Sequence, residues 1–87
     1  MYEIIWSARA YRDLKKLPPD VAGRILNQVD SLALNPRPPG AIKLTVGDEY
    51  RLRCSDYRTI YSVQDGVRKV IIEHIGHRAD VYGRRYR

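Results

Sequence analysis

The chain has 87 residues, 44% hydrophobic and 30% charged, with 16 Lys and Arg against 10 Asp and Glu, a formal net charge of +6. A chain of this size buries only roughly 60–65% of its unfolded surface, which fits one modest core and excludes a deep dinucleotide-type pocket. The periodic Ile, Leu and Val exclude a disordered tail, and the excess positive charge either serves solubility or meets nucleic acid, an anionic membrane or an acidic protein.

Residues 2–6 are β-branched and aromatic and predict a first strand. Ser7 stands where a helix N-cap belongs. Ala8, Tyr11, Leu14 and Lys15 then follow the helical i, i+3, i+4 rhythm, with Arg9, Arg12, Asp13 and Lys16 turned to water. Pro18 and Pro19 end that helix. A second starts at residues 19–20, with Val21, Ile25, Val29 and Leu32 as its apolar stripe, Ala22 and Leu26 beside it, running down to Leu34. The stretch Asn35-Pro36-Arg37-Pro38-Pro39-Gly40 cannot continue a helix and predicts a crossing loop.

From Ile42 the apolar period changes to two. Strands are expected over residues 42–46, 50–55, 57–64 and 67–75, with a strong hairpin turn at Asp65-Gly66. The run Val70-Ile71-Ile72 marks the last strand as central. The order β-α-α-β-β-β predicts an α+β fold: an N-terminal strand, a helical hairpin, then antiparallel strands forming a small sheet, with a short C-terminal helical tail over residues 79–84. The lone Cys54 can form no internal disulfide, and Cys54, His74 and His77 lack the paired spacing of a zinc site, so no cofactor is implied. No charged and then apolar leader opens the chain, and no apolar run nears the roughly 18 residues of a membrane span, so a cytoplasmic location and no membrane partner are expected.

Alternation places the charge. Leu52 must face the core, so Tyr50 and Cys54 share its face while Arg51 and Arg53 take the other. Tyr61 and Val63 are core partners in the next strand, which puts Arg58 with Arg51 and Arg53 on the face that the helices leave open. Like charges so placed repel unless an anion or water screens them, and guanidinium groups on adjacent strands suit phosphate; an ordinary solvated strand face is the competing explanation. The last ten residues hold four Arg and one Asp. Gly76 permits a sharp exit that would fold this tail over the arginine face. Arg78, Tyr82, Arg84, Arg85 and Tyr86 interleave charge with rings, as single-stranded nucleic acid binding requires; Tyr82 and Tyr86 would equally serve to anchor a C-terminal turn.

Tyr50-Arg51-Leu52-Arg53, Tyr57-Arg58-Thr59-Ile60-Tyr61, Gly76-His77-Arg78 and Asp80-Val81-Tyr82, in this order, resemble the RelE-type toxins of the RelE/ParE toxin–antitoxin superfamily. The resemblance spans nearly the whole chain, including Lys43-Leu44, and implies a single toxin domain over residues 1–87. It implies a ribosome-dependent mRNA endonuclease that inhibits translation and is held inactive by a cognate antitoxin, so its partners would be antitoxin, ribosome and mRNA, with no small-molecule cofactor. By the same resemblance Arg58, Arg78 and Tyr82 would be catalytic, and Arg51, Arg53, Lys43, Arg84, Arg85 and Tyr86 would bind RNA.

Metal-free cleavage needs the 2′-hydroxyl deprotonated, the phosphate charge stabilised and the 5′-oxygen protonated. Arg58 and Arg78 suit the second task, and Tyr82 the first. Well-known members carry lysines where this chain has Arg51 and Arg53. Arginine is a poor base, so proton abstraction leans on Tyr82, or on Tyr86 if the short spacing from Arg78 shifts the register. Alternation turns His77 away from Arg78, as a solvated strand-end residue. Two other functions remain on the same fold: a ParE-like, non-catalytic inhibitor of DNA gyrase, and an inactive RNA-binding relative.

Overall fold

A computed structural model describes residues 1–45 and 47–77. The elements are β1 (Glu3–Trp6), α1 (Ala8–Lys15), α2 (Pro19–Ser31), β2 (Ile42–Lys43), β3 (Glu49–Cys54), β4 (Tyr57–Gln64) and β5 (Lys69–His77). The strands form one sheet in the order β1-β5-β4-β3-β2. β1 lies parallel to β5, and every other pair is antiparallel. This is the expected α+β architecture, with β5, β4 and β3 in the interior. The expected C-terminal helical tail lies outside the described residues.

The core sits between one sheet face and the two helices. The α2 stripe is as the spacing predicts: Val21, Ile25, Val29 and Leu32 are all buried against Tyr50, Leu52, Tyr61, Val63, Val70 and Ile72. Each fully buried Ile or Leu contributes about 1.5–3 kcal/mol relative to exposure. The stripe ends at Leu32, since Leu34 is 76% exposed. Among the described residues no helix is long and apolar enough to cross a membrane.

Five local expectations are corrected. In α1 the inward residues are Ala10 and Leu14, joined by Leu17 just past its end, while Tyr11 is exposed. The reason is the anchor at Ser7. Its hydroxyl accepts from the Ala10 amide and donates to the Glu73 carbonyl, and its amide reaches Ile72 O, which fixes the rotation of the helix. Asp13, expected in water, turns to β5 instead.

The second strand is only two residues long, since Ile42 and Lys43 alone pair with β3. The turn after β4 is not the two-residue hairpin that Asp65-Gly66 suggests. Asp65–Val67 forms a 3-10 turn, Arg68 is left-handed at φ 54°, and pairing resumes at Gln64 and Lys69. A clamp holds this longer turn. Arg37 from the crossing loop donates to both Asp65 carboxylate oxygens (3.2 and 2.8 Å) and to the Tyr50 hydroxyl, and Tyr2 donates to Asp65. The Arg37 guanidinium and the Tyr2 hydroxyl together hold the Asp65 carboxyl down at about 2.

The fifth correction concerns β5. Register shifts between Ile60 and Tyr61: Tyr61 faces Ile72 while Ile60 faces His74, leaving Glu73 as the extra residue of a β-bulge. Alternation inverts beyond it, as a one-residue slip requires. Gly76 does not end the strand, since it pairs with Arg58 and β5 continues to His77.

Candidate functional site

Three arginines were expected on one sheet face, and the register brings them there. Arg53 and Arg58 are direct cross-strand partners, and Arg51 stands opposite Ile60 in the adjoining row. The alternation of β3 accounts for this: Tyr50, Leu52 and Cys54 are buried toward the helices, so Arg51 and Arg53 take the opposite side. The loop Ser55-Asp56 is tight, with Cys54 paired to Tyr57, so no slip between β3 and β4 is available.

Ser55 concentrates the charge. Its φ of 57° lies in the left-handed region, and its carbonyl accepts from Arg53 Nε at 3.1 Å and from Arg58 Nη1 at 3.4 Å. Arg58 Nη1 also lies 3.3 Å from the Tyr57 carbonyl. From the other side of the sheet, Gln28 of α2 donates to the Arg53 carbonyl at 3.0 Å and fixes the strand end. Two guanidinium groups thus converge on one carbonyl at the β3–β4 turn. Like charges directly opposite one another oppose folding, whereas a phosphate accepts forked hydrogen bonds from both.

The face is only partly solvated: Arg53 is exposed and Arg51 half-buried. Arg58 is 6% exposed, Ile60 fully buried and Ser62 7% exposed. A cation in such a setting interacts with an anion more strongly than one in bulk water. Lys43 is separate from this cluster. It pairs with Tyr50 and lies over that ring, so the register puts it on the core side, opposite Arg51. Arg78, Tyr82, Arg84, Arg85 and Tyr86 lie outside the described residues.

The bulge brings in residues that alternation misplaces. Glu73 and His74 both fall on the arginine face. Glu73 accepts from the Ser62 hydroxyl at 3.0 Å, and His74 stands opposite Ile60, diagonal to Arg58. His74 Nδ1 is 2.8 Å from Asp13 Oδ2, which also accepts from the Ile75 amide at 3.0 Å. His77 goes the other way: it meets the Tyr57 ring edge-on, with centroids 5.7 Å apart. There it lines a cleft of about 280 Å³ with Asp13, Lys16 and Leu17. Two successive polar residues, Glu73-His74, inside an otherwise apolar strand are the sequence signal for this bulge.

A sequence-family model described as the ParE toxin of a type II toxin–antitoxin system, parDE, matches residues 4–82. The chain is 32% identical over 83 residues to toxin RelE of Mycobacterium tuberculosis, covering 93% of this chain and 86% of that one. It is 29% identical over 85 residues to toxin RelG of the same organism, covering 95% and 98%. Among solved structures, the archaeal RelE–RelB complex from Pyrococcus horikoshii OT3 is similar at a TM-score of 0.79 and 30% identity, covering 88% of this chain and 94% of that one.

Proposed function

Because this chain belongs to the RelE/ParE superfamily as a RelE-type toxin of type II toxin–antitoxin systems, we propose that it is an endoribonuclease that cuts mRNA on the ribosome and so inhibits translation. The observation that carries this reading is the convergence of Arg53 and Arg58 on one point at the β3–β4 turn, with Arg51 beside them. Cleavage follows from attack of a 2′-hydroxyl on the adjacent phosphate, a step that needs no metal. The attack builds negative charge on the non-bridging oxygens. Preorganised donors aimed at such charge are worth about 10²–10³ in rate each, and in this reading Arg58 and Arg53 take that task.

Arg78 shares the stabilising role and Tyr82 takes the 2′-proton, on the strength of family resemblance, with Tyr86 the second candidate. Arg51, Arg84 and Arg85 would hold the message backbone. A domain of this size builds no deep substrate groove, so the ribosome supplies the geometry of the message. The site of action is then the cytoplasm. The similar archaeal toxin is seen bound to RelB, and a cognate antitoxin with an acidic or amphipathic segment is the expected partner here. In vitro translation with a defined message tests the reading: specific cuts in the message support it, and intact message under excess protein contradicts it.

One observation favours a second reading, the match to a family model described as the ParE toxin. A ParE-like inhibitor of DNA gyrase would not require Arg51, Arg53 and Arg58 to stay together. Inhibition of supercoiling with no loss of mRNA would select it.

A further inference from the structure

The bulge in β5 gives the arginine face a buried histidine that the reaction above leaves without a task. His74 is 7% exposed, lies opposite Ile60, and is diagonal to Arg58, whose own partner is Gly76. Diagonal neighbours on one sheet face are roughly 7–8 Å apart, within reach of long side chains. Nδ1 of the ring is bonded to Asp13 Oδ2 at 2.8 Å. That same oxygen accepts the Ile75 amide at 3.0 Å, in the stretch of β5 beyond its pairing with β1. Asp13 therefore acts as an acceptor twice over, which puts a proton on Nδ1 and leaves Nε2 as the nitrogen that exchanges one. Burying a histidine beside a carboxylate is a poor way to fill a core, since both groups lose water. A bulge that re-aims a polar side chain is a recurrent feature beside active sites.

Resting on the endoribonuclease reading, we propose that His74 is the proton donor to the leaving 5′-oxygen, with Asp13 as its positioning residue. The 2′-oxygen forms its bond to phosphorus and the bond from phosphorus to the 5′-oxygen breaks. The electron pair leaves on the 5′-oxygen and takes the Nε2 proton, so the ring ends neutral with Nδ1–H still on Asp13. Arg58 on the diagonal holds the non-bridging oxygens meanwhile. Among the described residues the charged groups around His74 are Asp13 from α1, Arg58 at the diagonal register position on β4 and Glu73 beside it on β5, the last bonded to Ser62. Asp13 balances the charge of the ring when both nitrogens are protonated. A proton donor in addition to a proton acceptor completes the acid–base pair that this cleavage requires.

The test uses ribosomes programmed with two messages, one ordinary and one with sulfur in place of the bridging 5′-oxygen at the cut site. Sulfur leaves without being protonated. His74→Asn sets an amide N–H where Nδ1–H stood, keeping the Asp13 bond while removing Nε2. The variant is expected to cut the ordinary message about 10²–10⁴-fold more slowly, the usual worth of a general acid, and to cut the sulfur message at a rate within about threefold of wild type. Asp13→Asn is expected to slow the ordinary message by a smaller factor and to be rescued in the same way. Rescue in either variant also shows that it has folded, and Arg58→Gln should be slow on both messages. If wild type cuts but both Asn variants match it on the ordinary message, or both are slow on the two messages alike, the donor role is overturned. If wild type cuts neither message, the endoribonuclease reading falls with it.

Discussion

Ser7→Ala removes the side chain that joins the start of α1 to the bulge. The Ser7 hydroxyl accepts the Ala10 amide at 3.0 Å and donates to the Glu73 carbonyl at 3.0 Å. Loss of an N-cap costs about 1 kcal/mol. The Glu73 carbonyl, part-buried at the bulge, loses its donor for about 1 kcal/mol more, so about 2 kcal/mol in all. In a domain of this length, 1 kcal/mol moves the thermal midpoint by about 4–8 °C, so a fall of roughly 8–16 °C is expected. Urea unfolding followed by circular dichroism should show a lower midpoint at unchanged slope. Ser7→Thr keeps both bonds and should stay within about 0.5 kcal/mol of wild type. If Ser7→Ala also stayed that close, Ser7 would not hold the bulge, and the account of how α1 takes its rotation would be wrong.

The clamp at the opposite end of the sheet predicts an acid-sensitive contribution. Asp65 is lowered from 3.8 to about 2 by Arg37 and Tyr2, so it stabilises the fold above pH 4 and loses that contribution as pH falls toward 2. The thermal midpoint of wild type should therefore drop more steeply over that window than that of Asp65→Asn; parallel curves would remove the clamp. Both partners are well exposed, at 43% and 58%, so added salt should shrink the difference. Tyr61 predicts the alkaline counterpart. Burial, with Tyr50 close by, pushes its hydroxyl up to about 12, so its contribution holds below pH 10 and is lost as pH rises through 12. Tyr61→Phe, which leaves the Pro36 carbonyl without the donor now 2.8 Å away, should cost about 1 kcal/mol at neutral pH. It should also abolish one late step in the ultraviolet titration of the tyrosines; an unchanged titration would contradict the burial argument.

What the chain declares locally could be read from it directly. Val21, Ile25, Val29 and Leu32 recur at helical spacing, and all four are buried, three in α2 and Leu32 at its C-cap. Leu52 between Arg51 and Arg53 fixes the parity of β3, and the short loop at Ser55-Asp56 carries that parity into β4, so the pairing of Arg53 with Arg58 follows. What was not legible depends on partners distant in sequence. The bulge at Glu73 is one extra residue, yet it reverses the side taken by the residues from His74 to His77, moving His74 onto the arginine face and His77 onto the cleft. Asp13 looked solvated because its partners, His74 and Ile75, come some 60 residues later. Lys43 is one register position from Ile42, and that single step places it away from Arg51. Arg37 sat in a loop defined only by prolines, and nothing nearby in sequence announces Asp65 as its partner.

Single-turnover cleavage of a defined message in programmed ribosomes tests the central claim most directly, comparing wild type with Arg58→Gln, Arg53→Gln and Lys43→Gln. Each substitution removes one positive charge, but only the first two touch the point where guanidinium groups converge. The account predicts that Arg58→Gln and Arg53→Gln each slow cleavage by about 10²–10³, while Lys43→Gln, on the opposite side of the sheet, stays within about threefold of wild type. Equal losses from all three would mean that bulk charge drives the activity, and an undiminished Arg58→Gln would contradict the site itself.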